Sequence, residues 1–131
     1  MAELLLVEND PRILELMTFF LERAGHRVRS ASSFEAAEAA IRACRPDLML
    51  SDLEMGAQSG REELPRLSAE GLLPPTLVVS GFVDSESAEA LSALPGVVGT
   101  LAKPFDMAQL SRRVEESLGR AAAAVRGPGS R

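Results

Sequence analysis

The sequence predicts an α/β protein built on a five-stranded, parallel, doubly wound sheet. Three observations predict it. Short apolar runs alternate five times with stretches of helical periodicity along 131 residues, which implies parallel strands, right-handed crossovers and helices on both faces. The runs LLLV (4–7), LMLS (48–51) and TLVV (76–79) are nearly continuous in apolar residues, as strands buried on both faces require. Glycine or proline stands at the helix ends, at Gly25, Pro46, Gly71 and Pro95-Gly96.

After the first strand, LLLV, Asp10 is the N-cap and Pro11 the first residue of a helix. Its stripe is Ile13, Leu14, Met17, Phe20, Leu21 and Ala24, and Gly25 stops it. A second strand lies near 27–31. Ser32 and Glu35 read as a capping box opening a helix whose stripe is Phe34, Ala37, Ile41 and Cys44. Cys44, on that stripe, is expected to be a buried structural thiol. Pro46 ends this helix, and a third strand runs to Asp52.

The stretch 53–60 reads as a loop. Pro65 confines the regular part of the next helix to about Pro65 to Glu70. A fourth strand reaches Ser80. Asp84 or Ser85 then caps a helix carrying Ala88, Leu91 and Leu94, with Glu86 and Glu89 on its solvated face. The fifth strand, VVGTLA (97–102), leads into Lys103-Pro104-Phe105. Asp106 caps a last helix with Met107, Leu110, Val114 and Leu118 on one side. Residues 119–131 lack a periodicity that a core can use, although their alanines extend the helix briefly. The folded domain is expected over 1–120, and 121–131 as a tail, disordered or a linker stub.

Of the common doubly wound orders, five strands fit the flavodoxin-like 2-1-3-4-5. Strands one and three are then neighbours. Glu8, Asn9 and Asp52 converge at the switch point, with Ser80 and Lys103 on the adjoining strands. All lie at the carboxyl edge, where ligands bind in such sheets. Carboxylates, a hydroxyl and a lysine on one edge suit a divalent cation and a phosphate, hence phosphoryl transfer.

Composition excludes several other classes. Hydrophobic and charged contents of 46% and 25% are those of a globular domain. A net charge of −5 argues against nonspecific nucleic-acid binding. No apolar run approaches the roughly 18 residues of a membrane span, and the N-terminus lacks the basic region of a signal peptide. With one cysteine there is no intramolecular disulfide, and the cytoplasm is the default compartment. His26, the sole histidine, follows the helix-ending Gly25 and is expected at the surface, which leaves the chain as an acceptor and not a histidine phosphocarrier.

The site residues resemble the receiver domain of bacterial two-component response regulators, over about residues 3–118. The family's acidic pair after strand one corresponds to Glu8 and Asn9, followed by Asp10-Pro11. Its phosphoacceptor aspartate corresponds to Asp52, and its metal-binding carbonyl two residues later to Glu54. The Met-Pro and later Gly of that loop appear as Met55-Gly56 and Gly60. The Ser/Thr is Ser80, followed by Gly81, and the Lys-Pro-Phe is Lys103, Pro104 and Phe105. Three positions depart: Asn9 replaces the usual second carboxylate, Gly56 the proline, and Thr100 the Tyr or Phe that swings inward on activation.

The resemblance implies that Asp52 takes a phosphoryl group from a histidine kinase or histidine phosphotransfer protein. Asp52, Ser80 and Lys103 carry the chemistry. Glu8, Asn9, Asp52 and the Glu54 carbonyl hold Mg²⁺, and Ser80 and Thr100 occupy the switch positions. Output passes to a downstream protein partner through the surface of helix four and strand five. The chain is expected to be no enzyme, and to act without its own output domain, since it ends about a dozen residues after helix five. Met1, close before the first strand, suggests a natural N-terminus. A receiver module of a hybrid histidine kinase is an alternative, because Ser80-Gly81-Phe82 and Leu101 to Phe105 look like that type. A pseudo-receiver switching without phosphate is another, suggested by Asn9 and Thr100. A phosphatase-like or flavodoxin-like enzyme is disfavoured, because no second aspartate follows Asp52 by two residues and no Ser/Thr-rich flavin loop follows strand one.

Overall fold

The computed structural model describes residues 2–55, 58–81 and 85–125, with backbone alone for 85–88, 124 and 125. Met1, Gly56, Phe82, Asp84 and the tail from 126 onward lie outside the described residues, as do the side chains of Glu86 and Ala88. The elements run β1 (Glu3–Val7), α1 (Pro11–Arg23), β2 (Arg27–Ala31), α2 (Phe34–Ala43), β3 (Leu48–Asp52), β4 (Glu54–Met55) and β5 (Gln58–Ser59). There follow α3 (Gly60–Ala69), β6 (Thr76–Ser80), α4 (Ser85–Ser92), β7 (Val97–Ala102) and α5 (Met107–Val125). The main sheet has the order β2-β1-β3-β6-β7, with every neighbouring pair parallel. Counted along that sheet, this is the flavodoxin-like order 2-1-3-4-5 that the sequence predicts.

Successive side chains of a strand point to opposite faces, and the apolar run of β1 divides accordingly. Leu5 and Val7 join Phe34, Ala37, Leu64, Leu67 and Leu91, under α2, α3 and α4. Leu4 and Leu6 join Met17, Leu21, Leu110 and Val114, under α1 and α5. A sheet covered on both faces leaves only its strand ends for chemistry.

Local capping explains most helix starts. Asp10 accepts from the backbone N–H groups of Arg12 and Ile13, with Pro11 as the first helical residue. Asp106 and Gln109 cap α5 reciprocally: Oδ1 of Asp106 accepts from the Gln109 N–H at 2.8 Å, and the Asp106 N–H donates to Gln109 Oε1 at 3.0 Å.

Several expectations are corrected. The N-cap of α2 is Ser33, not Ser32; its Oγ accepts from the Ala36 N–H at 3.0 Å, and Phe34 is buried at once. Cys44 is exposed. It adopts extended backbone at the helix end, so the stripe stops at Ile41. Helix α3 begins at Gly60 and contains Pro65; Leu64 and Leu67, buried on either side of the proline, carry the helix through it. Residues 53–60 include the short antiparallel hairpin β4–β5. Phe20 is 38% exposed beside exposed Leu16 and Phe19, at the margin of the apolar stripe. His26 is buried: its Nδ1 accepts from the Ala2 N–H at 3.1 Å, and its Nε2 lies 3.0 Å from Glu115 Oε2. Helix α5 continues through 120 to Val125, and Ala121 packs into the protein at 7% exposure.

Candidate functional site

The sheet register brings the polar residues together. Val7 pairs with Ser51, so Glu8 and Asp52 fall abreast at the ends of adjacent strands. Ser80 pairs with Ala102, and the Lys103 N–H donates to the Ser80 carbonyl at 3.0 Å. The lysine therefore leaves β7 beside the serine that ends β6.

At this edge Lys103 Nζ lies 3.0 Å from Asp52 Oδ2 and 3.3 Å from Glu8 Oε1. Both carboxylates are buried, Glu8 at 4% and Asp52 at 6% exposure. Removing such charges from water is costly unless they are paired and hydrogen-bonded, and here they are. Glu8 Oε2 accepts from the Asp10 N–H and Asp52 Oδ1 from the Glu54 N–H, each at 3.1 Å. Partial burial works against the charge on Lys103, but the hydrogen bond and charge of Asp52, then those of Glu8, outweigh it and hold the ammonium above its ordinary range.

The remaining candidates sit around this triad. Ser80 is buried at the end of β6. Asn9 follows Glu8 and is exposed. The Glu54 side chain turns to Arg61 at 2.9 Å, leaving its backbone against Asp52. Thr100 is half-buried on β7; with Ser80, Val78, Gly81 and Leu91 it lines a cavity of about 240 Å³. Arg61 at the rim was not legible beforehand, because Pro65 made its segment read as loop.

Among the described residues, no group of three or more His, Cys, Asp and Glu is placed to hold a metal ion. The donor set is a carboxylate pair, Glu8 and Asp52. Two hard oxygen donors fit Mg²⁺, which usually keeps several waters and takes only one or two protein carboxylates. They do not make an all-protein cage.

Comparisons with known proteins identify the family and the fold. Residues 4–115 match the family model of the response regulator receiver domain. Response regulator GtcR of Aneurinibacillus migulanus is 31% identical over 118 residues, which cover 90% of this chain and 48% of that protein. Protein-glutamate methylesterase/protein-glutamine glutaminase 2 of Burkholderia thailandensis is 41% identical over 108 residues, 76% of this chain and 30% of that one. The chain thus spans about half the length, or less, of these curated relatives. The crystal structure of a CheY-like response regulator receiver domain protein from Methanospirillum hungatei superposes with a TM-score of 0.80 at 24% identity, covering 92% of this chain and 96% of that one. Among the described residues, no helix is long and apolar enough to cross a membrane.

Proposed function

The chain belongs to the response regulator receiver domain family, and from that premise we propose that it accepts a phosphoryl group on Asp52 and alters a partner-binding surface in response. The observation that carries this reading is the Lys103 ammonium held between Asp52 and Glu8, 3.0 and 3.3 Å away, at the carboxyl edge of a buried parallel sheet. The donor is a histidine kinase or histidine phosphotransfer protein in the cytoplasm. An Asp52 carboxylate oxygen attacks phosphorus, the P–N bond to the donor imidazole breaks, and its electron pair stays on the nitrogen.

Catalysis of this kind is chiefly positioning and charge neutralisation. The Glu54 N–H fixes Asp52 through Oδ1. Lys103 offers a point charge to the oxygens of the transferring group, and Ser80 a hydroxyl. Glu8, Asn9, Asp52 and the Glu54 carbonyl would hold Mg²⁺, which neutralises further charge on the same oxygens. Ser80 and Thr100 line one cavity, and that shared wall supports a route from the acceptor to α4 and β7. In this reading the chain is a signalling module, either by itself or within a longer protein, and transforms no substrate of its own.

The test is the intact mass after incubation with a small phosphodonor and Mg²⁺. Wild type gains one acid-labile, hydroxylamine-sensitive phosphoryl group, and Asp52→Asn gains none. Modification that persists in Asp52→Asn, or none in wild type, overturns the reading. The second outcome, combined with intact partner binding, would favour a pseudo-receiver, to which the neutral Asn9 points.

A further inference from the structure

We propose that the outer face of α1 pairs with the same face of a second copy of this chain, the two helices crossing antiparallel about Phe19, to form a weak, reversible dimer. This goes beyond the acceptor reading and does not depend on it.

Among the described residues, three large apolar side chains are exposed, Leu16 at 49%, Phe19 at 52% and Phe20 at 38%, and all three lie on α1. Their spacing of i, i+3 and i+4 gathers them on one side of the helix. The opposite side already carries the buried Met17 and Leu21, with Ile13 and Leu14 packed partly beside them. Helix α1 is thus apolar on two sides, and a helix apolar all round belongs in an interior. The chain has five phenylalanines and neither tryptophan nor tyrosine, so two of its five aromatic rings stand in water on one turn of one helix.

The two rings are ordered before any partner arrives. Phe19 and Phe20 meet edge to face, with centroids 5.5 Å apart at 88°. The Arg23 guanidinium sits over the Phe19 ring, 5.5 Å from its centroid. Side chains fixed in advance lose less entropy on association.

Charge selects the occupant. Glu15 and Arg23 stand four residues before and four residues after Phe19, on one i±4 ridge, and both are exposed. Among the described residues neither has an ion-pair partner. A two-fold axis at Phe19 reverses this ridge on the second copy, so that Glu15 of each copy meets Arg23 of the other, twice per dimer. A crossing angle near −50°, at which the i±4 ridges of both helices interdigitate, brings the two ridges side by side. Parallel pairing would set Glu15 against Glu15 and Arg23 against Arg23. A ridge with one acid and one base, equally spaced from an aromatic ring, is complementary to itself when antiparallel.

Area sets the strength. About half of each of three large side chains amounts to roughly 300 Å² a side, well under the roughly 800 Å² a side of a standard stable interface. The dimer is therefore a high-concentration species.

The experiment is sedimentation equilibrium of the full chain at loadings from about 10 μM to about 1 mM, where a small interface populates a dimer. Wild type should associate to a dimer and no further. Glu15→Arg and Arg23→Glu, each alone, make both charge pairs repulsive and should weaken association about tenfold. Mixed in equal amounts, the two variants present opposite charges to each other at both ends, and the mixture should associate as wild type does. Phe19→Ala should abolish association over the same range. Wild-type amide shifts on dilution should centre on Leu16 to Arg23. If wild type stays monomeric throughout, if the dilution shifts fall on another face, or if the mixture associates no better than the separate variants, the pairing is wrong. A monomer at every loading would leave this face to a helix of a different protein. Circular dichroism checks the fold of each variant, and where one fails to fold, the wild-type loading series and dilution shifts decide.

Discussion

The backbone N–H of Lys103 donates to the carbonyl of Ser80 at 3.0 Å, one step beyond the last β6–β7 pair, Ser80 with Ala102. The hydroxyl and the ammonium of the site therefore sit on strand ends that are stitched together. A shift of the Ser80 side chain can occur without moving Lys103, because the tie between them is main chain.

Ser80→Ala should accordingly leave the fold and the Lys103 contacts in place and still permit phosphorylation of Asp52. What it should weaken is the response. Ser80 lines the 240 Å³ cavity with Thr100 and Leu91, and Thr100 brings no ring to bury there. On adding beryllofluoride, amide shifts in wild type should be larger from Ser80 into the start of α4 than around Thr100, and Ser80→Ala should lose most of them. Unchanged shifts in the variant would make Ser80 a structural residue only.

Gly60→Ala should destabilise the domain by about 1–3 kcal/mol, as overpacking against fixed atoms does. A Cβ at this position would meet Leu53 Cδ2 at 2.7 Å and Leu53 Cα at 2.9 Å. The side-chain atom can rotate away; the backbone atom cannot. The same backbone follows Asp52, and the Gly60 N–H donates to the Leu53 carbonyl at 2.8 Å. The urea midpoint should fall and the Glu54 amide signal should shift. An unchanged midpoint would mean that α3 can slide outward at no cost.

How much of this was legible beforehand depends on what each signal measures. The strands and the edge residues were legible, because a strand buried on both faces is largely apolar and a polar residue at its end stands out: Glu8 and Lys103 follow such runs, and Asp52 and Ser80 close them. Asn9 and Thr100 were placed by resemblance, and no periodicity identifies them. Cys44 was misread because it completes a helical stripe on paper while the helix stops one residue earlier. The burial of His26 was not legible because Gly25 ends a helix locally, whereas the partners of its ring nitrogens, Ala2 and Glu115, lie 24 and 89 residues away. The start of α3 was hidden by Pro65, whose local cost is outweighed by the burial of Leu64 and Leu67.

Stability should fall at both ends of the pH range, for two separate reasons. Hydrogen bonds from Arg66, at 2.8 Å, and from Arg42 hold the Glu38 carboxyl below its ordinary value of 4.5. A lowered folded-state pKa gives stability that is present above that ordinary value and lost as pH falls below it. Lys103 is raised above 10.5 despite its burial, by Asp52 and then Glu8, so its contribution is present below 10.5 and lost as pH rises beyond it. Urea midpoints measured across pH should show Glu38→Gln flattening the acid limb and Lys103→Met flattening the alkaline one. A Glu38→Gln variant with the wild-type acid slope would place the acid sensitivity elsewhere.

The last prediction concerns Asn9. It stands next to the buried Glu8, it is exposed, and it is neutral where the family usually supplies a second carboxylate. A unit charge about 4 Å from a cation is worth on the order of 4 kcal/mol at an effective dielectric near 20. Desolvation and water reorganisation offset much of that, and an exposed position is screened further, so the net gain from Asn9→Asp should be about 1–2 kcal/mol, a roughly tenfold or larger rise in Mg²⁺ affinity. Phosphorylation at low Mg²⁺ should accelerate in step, while the rate at saturating Mg²⁺ should change little. A titration in which Asn9→Asp binds no more tightly than wild type would show that position 9 does not face the cation and that the carboxylate pair, with waters, holds it unaided.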